Sequence, residues 1–416
     1  MKHRRIAVLA ESHRPAYVVW ELTLRCDHAC THCGSRAAVP RDDELSPAEA
    51  LEVVDQLAAL GAREVVLIGG EAYLHPGFLE IIEALARAGI LPTMTTGGRG
   101  ITPQLATAMA AAGMARTSVS IDGLEATHDR MRASKGSFAQ ATAALGYLRE
   151  AGIQTSSNIN LNRLNQGDLE PLYEHLREQG VASWQVQLTA PLGRAADRPD
   201  LVLQPWDLLD LVPRIAALKE RGFAEGVLLM PGNNLGYYGP EEGTLRSPYP
   251  EGGDRFTGCP AGRFVMGIES DGAIKGCPSL QTRYYAGATV RQRPLADTWR
   301  DDPKLVALRA RTADDLWGFC RECPFAEACR GGCTFTAHSI LGRPGNNPYC
   351  HYRARAMAAQ GRRERLVPVE RAPGTPFDHG RFELVEEALD APDPGRTLDV
   401  RRRVAKRSRS LPLLAG

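Results

Sequence analysis

Short apolar runs alternate with amphipathic stretches along the first half of the chain. Six runs rich in β-branched and apolar residues are typical of buried strands, and helix-like stretches separate them. The runs cover residues 17–23, 64–68, 91–95, 116–120, 153–160 and 184–188. Their order predicts six βα units.

The first helix has clear start and stop signals. Residues 46–49 (Ser-Pro-Ala-Glu) form a capping box with proline at the first helical position, and Gly61 ends the run. Nearly continuous apolar strands between amphipathic helices indicate a parallel sheet covered by helices, which right-handed crossovers curl into a barrel. The predicted fold class is α/β, a partial (βα)6 TIM-like barrel. Its functional residues are expected on the loops at the carboxyl ends of the strands.

The composition changes after the predicted barrel. Residues 231–258 are rich in Pro, Gly, Asn and Tyr, so we interpret them as a linker. The predicted organisation is an N-terminal extension (1–15), the barrel (16–230), this linker, a cysteine-rich domain (259–357) and a tail (358–416). A charged stretch at 352–365 reads as helical. Near the end of the tail stands a basic cluster, interpreted as solvated rather than as an arm that binds nucleic acid or peptide: Arg401, Arg402, Arg403, Lys406, Arg407 and Arg409.

Composition and charge narrow the class of protein. The chain has 416 residues, 43% hydrophobic and 24% charged, with a net charge of +1, which argues against a broad nucleic-acid surface. No apolar run reaches the roughly 18 residues that a membrane span needs, and no secretory signal is visible, so we expect a cytoplasmic protein. Its ten cysteines then favour metal or redox chemistry over disulfides.

Three of the cysteines stand together immediately after the first predicted strand. Cys26, Cys30 and Cys33 follow the pattern C-x3-C-x2-C. Three such thiolates suit an iron–sulfur cluster and leave one iron of a four-iron cube without a protein ligand. A closed zinc site normally has a fourth Cys or His, and His28 and His32 do not offer the usual paired spacing.

This triplet, with His32 before its last cysteine, resembles the signature of the radical S-adenosylmethionine (SAM) superfamily. The resemblance implies that SAM chelates the open iron and that one electron then breaks a carbon–sulfur bond to give a 5'-deoxyadenosyl radical. It also implies that Gly69, Gly70 and Glu71 match the family's GGE motif, whose carboxylate accepts from the ammonium of SAM. By itself, Gly-Gly-Glu could be an ordinary turn at the end of a strand.

Further SAM contacts are implied by the same resemblance. Ser120 and Arg132 fit the serine and arginine that hold the ribose and carboxylate in peptide-modifying members, with Arg130 as a rival and surface charges as the alternative. Leu188 fits the residue that packs on adenine, or it is plain barrel core. Residues 95–98 (Thr-Thr-Gly-Gly) depart from the family's more usual Thr-Asn-Gly, which leaves a ligand contact there in doubt.

The other seven cysteines resemble the SPASM domain in their spacing: C259-x12-G272-x4-C277, then C320-x2-C323-x5-C329-x3-C333, then C350. The resemblance assigns Cys320, Cys323, Cys329 and Cys350 to a distal four-iron cluster and Cys259, Cys277 and Cys333 to a proximal one. It thus implies three [4Fe-4S] clusters and SAM as cofactors. The fourth ligand of the proximal cluster stays open between water, substrate and a carboxylate such as Asp254. A zinc scaffold is the structural alternative.

SPASM-bearing relatives mostly modify ribosomally synthesised peptides, so the leading interpretation is a radical SAM oxidoreductase that matures a precursor peptide by crosslinking, oxidative decarboxylation or a related step. About 15 residues before the first strand are too few for a peptide-recognition domain, so a separate recognition protein or direct leader binding is expected, together with a donor such as flavodoxin or ferredoxin. Pro278 stands where the sulfatase-modifying branch has its base, which disfavours that branch. The alternatives are a small-molecule substrate and a non-catalytic iron–sulfur or zinc protein. No acid or base is assigned; Tyr237, Tyr238 and Asp122 are polar candidates, and the tyrosines fit packing roles better.

Overall fold

The computed structural model describes residues 13–393, and a nine-stranded sheet forms its centre. Its strands lie in the spatial order β7-β6-β5-β4-β3-β2-β1-β8-β9, and two further strands form a separate hairpin. The strands are β1 (Tyr17–Glu21), β2 (Glu64–Ile68), β3 (Leu91–Thr96), β4 (Arg116–Ser120), β5 (Gln154–Leu161), β6 (Ser183–Leu188), β7 (Leu228–Pro231), β8 (Val265–Ile268), β9 (Ile274–Lys275), β10 (Arg362–Glu370) and β11 (Arg381–Ala388).

Helices connect successive strands of the sheet and continue into the cysteine-rich region. They are α1 (Pro47–Ala59), α2 (Phe78–Arg87), α3 (Pro103–Ala112), α4 (Glu125–Arg132), α5 (Ser137–Glu150), α6 (Leu169–Glu178), α7 (Leu208–Glu225), α8 (Glu242–Arg246), α9 (Thr282–Tyr285), α10 (Leu295–Asp301), α11 (Pro303–Ala310), α12 (Ala326–Cys329), α13 (Thr334–Leu341) and α14 (His351–Ala358). Within residues 13–393, no helix combines the length and apolarity needed to cross a membrane.

The six predicted strands are present, and each pairs in parallel with the next. The expectation of an α/β partial barrel with a cysteine-rich C-terminal region is confirmed. The sheet stays open, with β7 and β9 at its edges. The predicted capping box of α1 is also present: Ser46 accepts from Glu49 N, and the Glu49 carboxylate accepts from Ser46 N.

The cysteine-rich region begins inside the barrel sheet. Strand β8 pairs in parallel with β1, with Tyr17 opposite Val265 and Trp20 opposite Ile268. The predicted linker is tied back as well, because the Asn234 amide accepts from Leu188 N and donates to Leu188 O at the end of β6. The two parts therefore share one hydrogen-bonded sheet. The predicted domain boundaries stay predictions.

The helical interpretation of residues 352–365 is wrong beyond Ala358. Gly361, at φ 69°, ends the helical turn, and β10 pairs with β11 in an antiparallel hairpin. Arginine and glutamate favour helices in general, but here they pair across the strands, as Arg363 and Arg365 do with Glu387. The basic cluster at 401–409 lies outside the described residues.

Candidate functional site

The first cysteine triplet lies in the loop at the carboxyl end of β1, where a barrel presents its chemistry. Two elements clamp this loop: Thr31 N donates to Met131 O of α4 at 2.8 Å, and Arg194 Nε donates to Cys30 O at 2.7 Å. Burial raises the pKa of Cys26 to about 12, and charges on Glu71 and the neighbouring thiols add to the effect. A nearby cation, such as a metal cluster provides, would favour the thiolate form of Cys26.

The glycines after β2 let two loops meet. A Cβ on Gly70 would lie 2.0 Å from Arg25 O, and one on Gly69, at φ +153°, would lie 2.2 Å from Thr23 O. Gly70 N instead donates to Thr23 O at 2.6 Å. The Gly-Gly pair thus places the next residue, Glu71, beside the chain entering the cysteine loop.

Glu71 is buried, with 3% of its surface exposed. Its carboxylate accepts from Thr96 Oγ1 at 2.5 Å and from Gly97 N at 2.7 Å. Burial raises the pKa of Glu71 to about 7, against the effect of these two hydrogen bonds. Thr96 and Gly97, in the unusual stretch 95–98, thus contact the site through Glu71. The Sγ of Cys26 and one carboxylate oxygen each of Asp27 and Glu71 lie within 4.8 Å of one another and could share a cation.

A buried charged group surrounds Cys30. Arg132 Nη2 lies 2.6 Å from Asp122 Oδ2, and its Nη1 donates to Cys30 Sγ at 3.6 Å. His32 Nε2 is 3.3 Å from the same Asp122 oxygen. Burial opposes ionisation of Asp122, but the charges of Arg132 and His32 hold its pKa below the ordinary value. Arg130, the rival candidate, is exposed.

Two buried nitrogen atoms in this group lack a hydrogen-bond partner among the described residues. Arg132 Nε and His32 Nδ1 form no hydrogen bond to any residue in the range 13–393. Buried polar groups are rarely left unpaired, so these atoms point to a polar ligand that the protein chain does not supply. The residues therefore fit SAM with its charged amino-acid end. Asp122, which sequence analysis left without a role, is the carboxylate that orients Arg132; its signal was its position directly after β4.

The two remaining candidate SAM residues lie at the carboxyl ends of two strands in the sheet. Ser120 ends β4, and its hydroxyl donates to Asn158 Oδ1 at 3.1 Å. Leu188 ends β6 and is 2% exposed. Their places agree with the barrel logic that gathers functional residues at the carboxyl ends of strands.

Four cysteines of the second array line one cavity: Cys320, Cys323, Cys329 and Cys350. Aromatic rings complete its wall, and Tyr238 stacks on Phe325 at 4.2 Å. Burial raises the pKa of Cys350 well above its ordinary value, and charges on Cys329 and Cys320 raise it further. Four thiols in an apolar shell suit an iron–sulfur cluster.

The other three cysteines form a separate group. Burial raises the pKa of Cys333 to about 12, and charges on Cys259 and Cys277 contribute to the rise. Tyr237 is 1% exposed and its hydroxyl accepts from Cys333 N at 3.1 Å, while the Tyr238 hydroxyl donates to Phe256 O. Both tyrosines thus have packing roles around the cysteines. Asp254 is exposed.

Sequence analysis missed a loop that reaches the site from the C-terminal hairpin. We call residues 371–380, between β10 and β11, the clasp loop. Its Phe377 N donates to Gly34 O at 3.2 Å, and its Asp378 pairs with Arg36 Nε at 2.8 Å, so it holds the end of the first cysteine loop. It also accepts from Gly193 N through Asp378 O. No composition signal in the tail marks this contact.

The clasp loop also brings histidines and tyrosines together near Cys259. The ring of its His379 lies 5.0 Å from that of His338, whose Nδ1 is 2.8 Å from the Tyr285 hydroxyl. Burial lowers the pKa of His338 to about 4, so this ring is neutral at pH 7.

Comparisons with known proteins agree with this geometry. The family model described as the radical SAM superfamily matches residues 20–176, and the SPASM model, an iron–sulfur cluster-binding domain, matches residues 259–324. The AdoMet-dependent heme synthase of Nitratidesulfovibrio vulgaris is 29% identical over 82% of this chain and 93% of its own length. The mycofactocin maturase MftC of Mycobacterium ulcerans is 29% identical over 88% of this chain and 94% of its own. The solved structure of SuiB from Streptococcus suis bound to S-adenosylmethionine shares the fold, with a TM-score of 0.62 at 18% identity over 77% of this chain and 73% of SuiB.

Proposed function

The chain belongs to the radical SAM superfamily and carries a SPASM iron–sulfur domain, and from this premise we propose that it oxidises a ribosomally synthesised precursor peptide. As a member of this superfamily, the chain is an enzyme that uses SAM and a four-iron cluster. Its SPASM domain binds additional iron–sulfur clusters. The observation that carries the proposal is the arrangement of ten cysteines in three groups: a triplet at the barrel mouth, four around one cavity, and three beside them.

The residues at the barrel mouth would hold and orient SAM. When bound, the cluster and SAM together supply a 5'-deoxyadenosyl radical that removes a hydrogen atom from the substrate. Cys26, Cys30 and Cys33 would ligate three irons. Glu71 would accept from the ammonium of SAM, and the unpaired Nε of Arg132 would donate to its carboxylate.

The remaining SAM contacts and clusters are part of the same proposal. His32 would lie beside the triplet, Ser120 would bind the ribose, and Leu188 would pack on the adenine. Three [4Fe-4S] clusters would use all ten cysteines, the distal one in the four-cysteine cavity and the proximal one on Cys259, Cys277 and Cys333. Auxiliary clusters favour a net oxidation, such as crosslinking or decarboxylation, because they can carry an electron away from the substrate.

A peptide substrate is supported by the similarity to a mycofactocin maturase over most of both chains. A second candidate, a small-molecule substrate, is supported by the comparable similarity to an AdoMet-dependent heme synthase. In either case an external one-electron donor is required to start SAM cleavage.

The first experiment is anaerobic reconstitution with iron and sulfide, followed by dithionite and SAM. About twelve irons per chain, four for each cluster, and release of 5'-deoxyadenosine are expected. The Cys350→Ala variant should hold about four irons fewer and still release 5'-deoxyadenosine, whereas Cys30→Ala should release none. Bound zinc without SAM cleavage would exclude the proposed chemistry.

The second experiment separates the two substrate classes. A panel of short candidate precursor peptides and an iron porphyrin are each incubated with the reduced enzyme and SAM. A change in the peptide mass, matched by a gain in 5'-deoxyadenosine, supports the peptide. A change in the porphyrin alone supports the small molecule.

A further inference from the structure

A half-buried pocket beside Cys259 is lined by four arginines: Arg263, Arg309, Arg311 and Arg330. They come from three segments that are separate in sequence: the turn after Cys259, the end of α11 and the residue after α12. The fold therefore gathers four guanidinium groups around one thiol.

The contacts of these arginines are with neutral oxygens. Arg309 Nε donates to Gly262 O at 2.6 Å, and Arg311 Nη1 donates to Thr334 Oγ1 at 2.7 Å. Within residues 13–393, none of the four forms an ion pair with a carboxylate. Asp301, whose charge acts on Arg309, is itself paired with Arg300. The pocket thus keeps its positive charge.

Each of the other two cysteine groups has a buried arginine that is paired with a carboxylate. At the first triplet, Arg132 is paired with Asp122. At the distal cavity, Arg353 is held by both oxygens of Glu364, and the cavity wall is aromatic. Near the first triplet, Arg194 and Arg99 also donate to backbone carbonyls, those of Cys30 and Asp27. The surface at Cys259 is set apart because four arginines without a carboxylate partner among residues 13–393 line one pocket there.

We propose that this arginine pocket docks an acidic one-electron carrier protein. The inference rests on the proposed function, in which Cys259 ligates the proximal cluster and an oxidised substrate leaves an electron to be removed. Positive charge at the entrance attracts an acidic partner over many ångströms and raises its association rate. The same charge lies against the thiol through which a carrier would exchange electrons.

The test uses the reconstituted holoenzyme and small redox probes of opposite charge. The reduced enzyme is mixed in a stopped-flow instrument with tris(oxalato)cobaltate(III), a trianion, or hexaammineruthenium(III), a trication, and cluster oxidation is followed by absorbance. The double variant Arg263→Gln/Arg330→Gln removes two of the four positive charges. It also removes the 3.4 Å hydrogen bond that Arg330 Nε donates to Glu327 O. Its rate with the anion should fall about tenfold at low ionic strength, and the difference should vanish near about 0.5 M salt. The rate with the cation should stay the same or rise.

A matched control removes two charges elsewhere. Arg87→Gln/Arg177→Gln changes exposed side chains on α2 and α6, and both rates should stay within about twofold of wild type. An acidic flavodoxin then replaces the small probes, and its electron-transfer rate should fall in the pocket variant as the anion's rate does.

Two outcomes overturn the proposal. One is an equal loss in the control, which would show a general charge effect. The other is an electron-transfer rate with flavodoxin that is unchanged in the pocket variant while the rate with the small anion falls. This result would show a site for small anions only. Absence of 5'-deoxyadenosine from wild type would instead remove the proposed function, and the charge preference of the clusters would still be measured.

Discussion

Replacing Asp378 in the clasp loop should open this loop without unfolding the chain. The side chain of Asp378 is 4% exposed and accepts from three donors: Arg36 Nε at 2.8 Å, Thr375 N at 3.0 Å and Gly374 N. The Asp378→Asn variant keeps the shape but loses the charge. Arg36 stays paired with Asp197, so its charge is not left alone.

The magnitude follows from this residual pairing. Breaking a buried ion pair outright costs about 3–5 kcal/mol, and losing a hydrogen bond to a charged group costs about 1.5–3 kcal/mol. Because Arg36 keeps Asp197, we expect about 2–3 kcal/mol. At about 1.4 kcal/mol per tenfold, this corresponds to a rise of about 30- to 150-fold in the population of the open loop.

Hydrogen exchange measures this opening directly. The amides of Phe377 and Gly193 form their hydrogen bonds across the clasp contact, to Gly34 O and Asp378 O. Their exchange should accelerate by the same factor in Asp378→Asn. In the control Asp197→Asn, the lost partner is 49% exposed, so less than about 1 kcal/mol is expected. Equal acceleration in both variants, or none at Phe377, would refute the reasoning.

Three further predictions concern stability. The cluster-free Gly193→Ala variant should unfold at a lower urea concentration than wild type, because the new Cβ would lie 2.2 Å from Gly34 O and φ is +58°. In the control Gly146→Ala, in α5, the new Cβ would have no neighbour within 4 Å. This control should raise the free energy of unfolding by about 0.5–1 kcal/mol. In the folded chain, burial lowers the pKa of His128 from 6.5 to about 3. Between these two pH values the unfolded chain therefore binds a proton at His128 and the folded chain does not. Stability should therefore fall as the pH drops from 6.5 toward 3, less steeply in His128→Asn; parallel urea curves would contradict this. Glu364→Gln leaves the buried Arg353 without its carboxylate partner and should lower the free energy of unfolding by about 3–5 kcal/mol. The melting temperature should fall accordingly, and an unchanged melting temperature would disprove this prediction.

The sequence predicts those features that depend on local pattern. The six strands of the barrel could be predicted because each is a run of five or more residues between helix-like stretches, although β4 and β5 hold few apolar residues. Cysteine spacing likewise marks the first triplet, Cys26, Cys30 and Cys33, within one short segment. The division of the other seven cysteines into two groups was implied by the resemblance to the SPASM domain, because Cys259, Cys277 and Cys333 are far apart in sequence.

Features made by contacts between distant segments could not be predicted in this way. Strands β8 and β9 have four and two residues, too few for any periodicity to show. The hairpin of β10 and β11 carries charged residues that suit a helix equally well, and the antiparallel pairing of the two strands decides between the two structures. The role of Asp122 likewise depends on Arg132, ten positions later, and on the fold that buries both.

The barrel and the cysteine-rich region are joined by the shared sheet and by two further contacts. Strand β8 pairs with β1, and Arg41, just after the first cysteine loop, reaches both Glu21 of β1 and Glu269 after β8. The clasp loop adds a second tie, since Lys275 of β9 lies 3.9 Å from the ring centre of Phe377. The shared sheet and these two ties therefore link the first cysteine loop to the C-terminal part of the chain. A change in the C-terminal hairpin should therefore reach the first cysteine loop, although this hairpin lies outside both segments that match the family models.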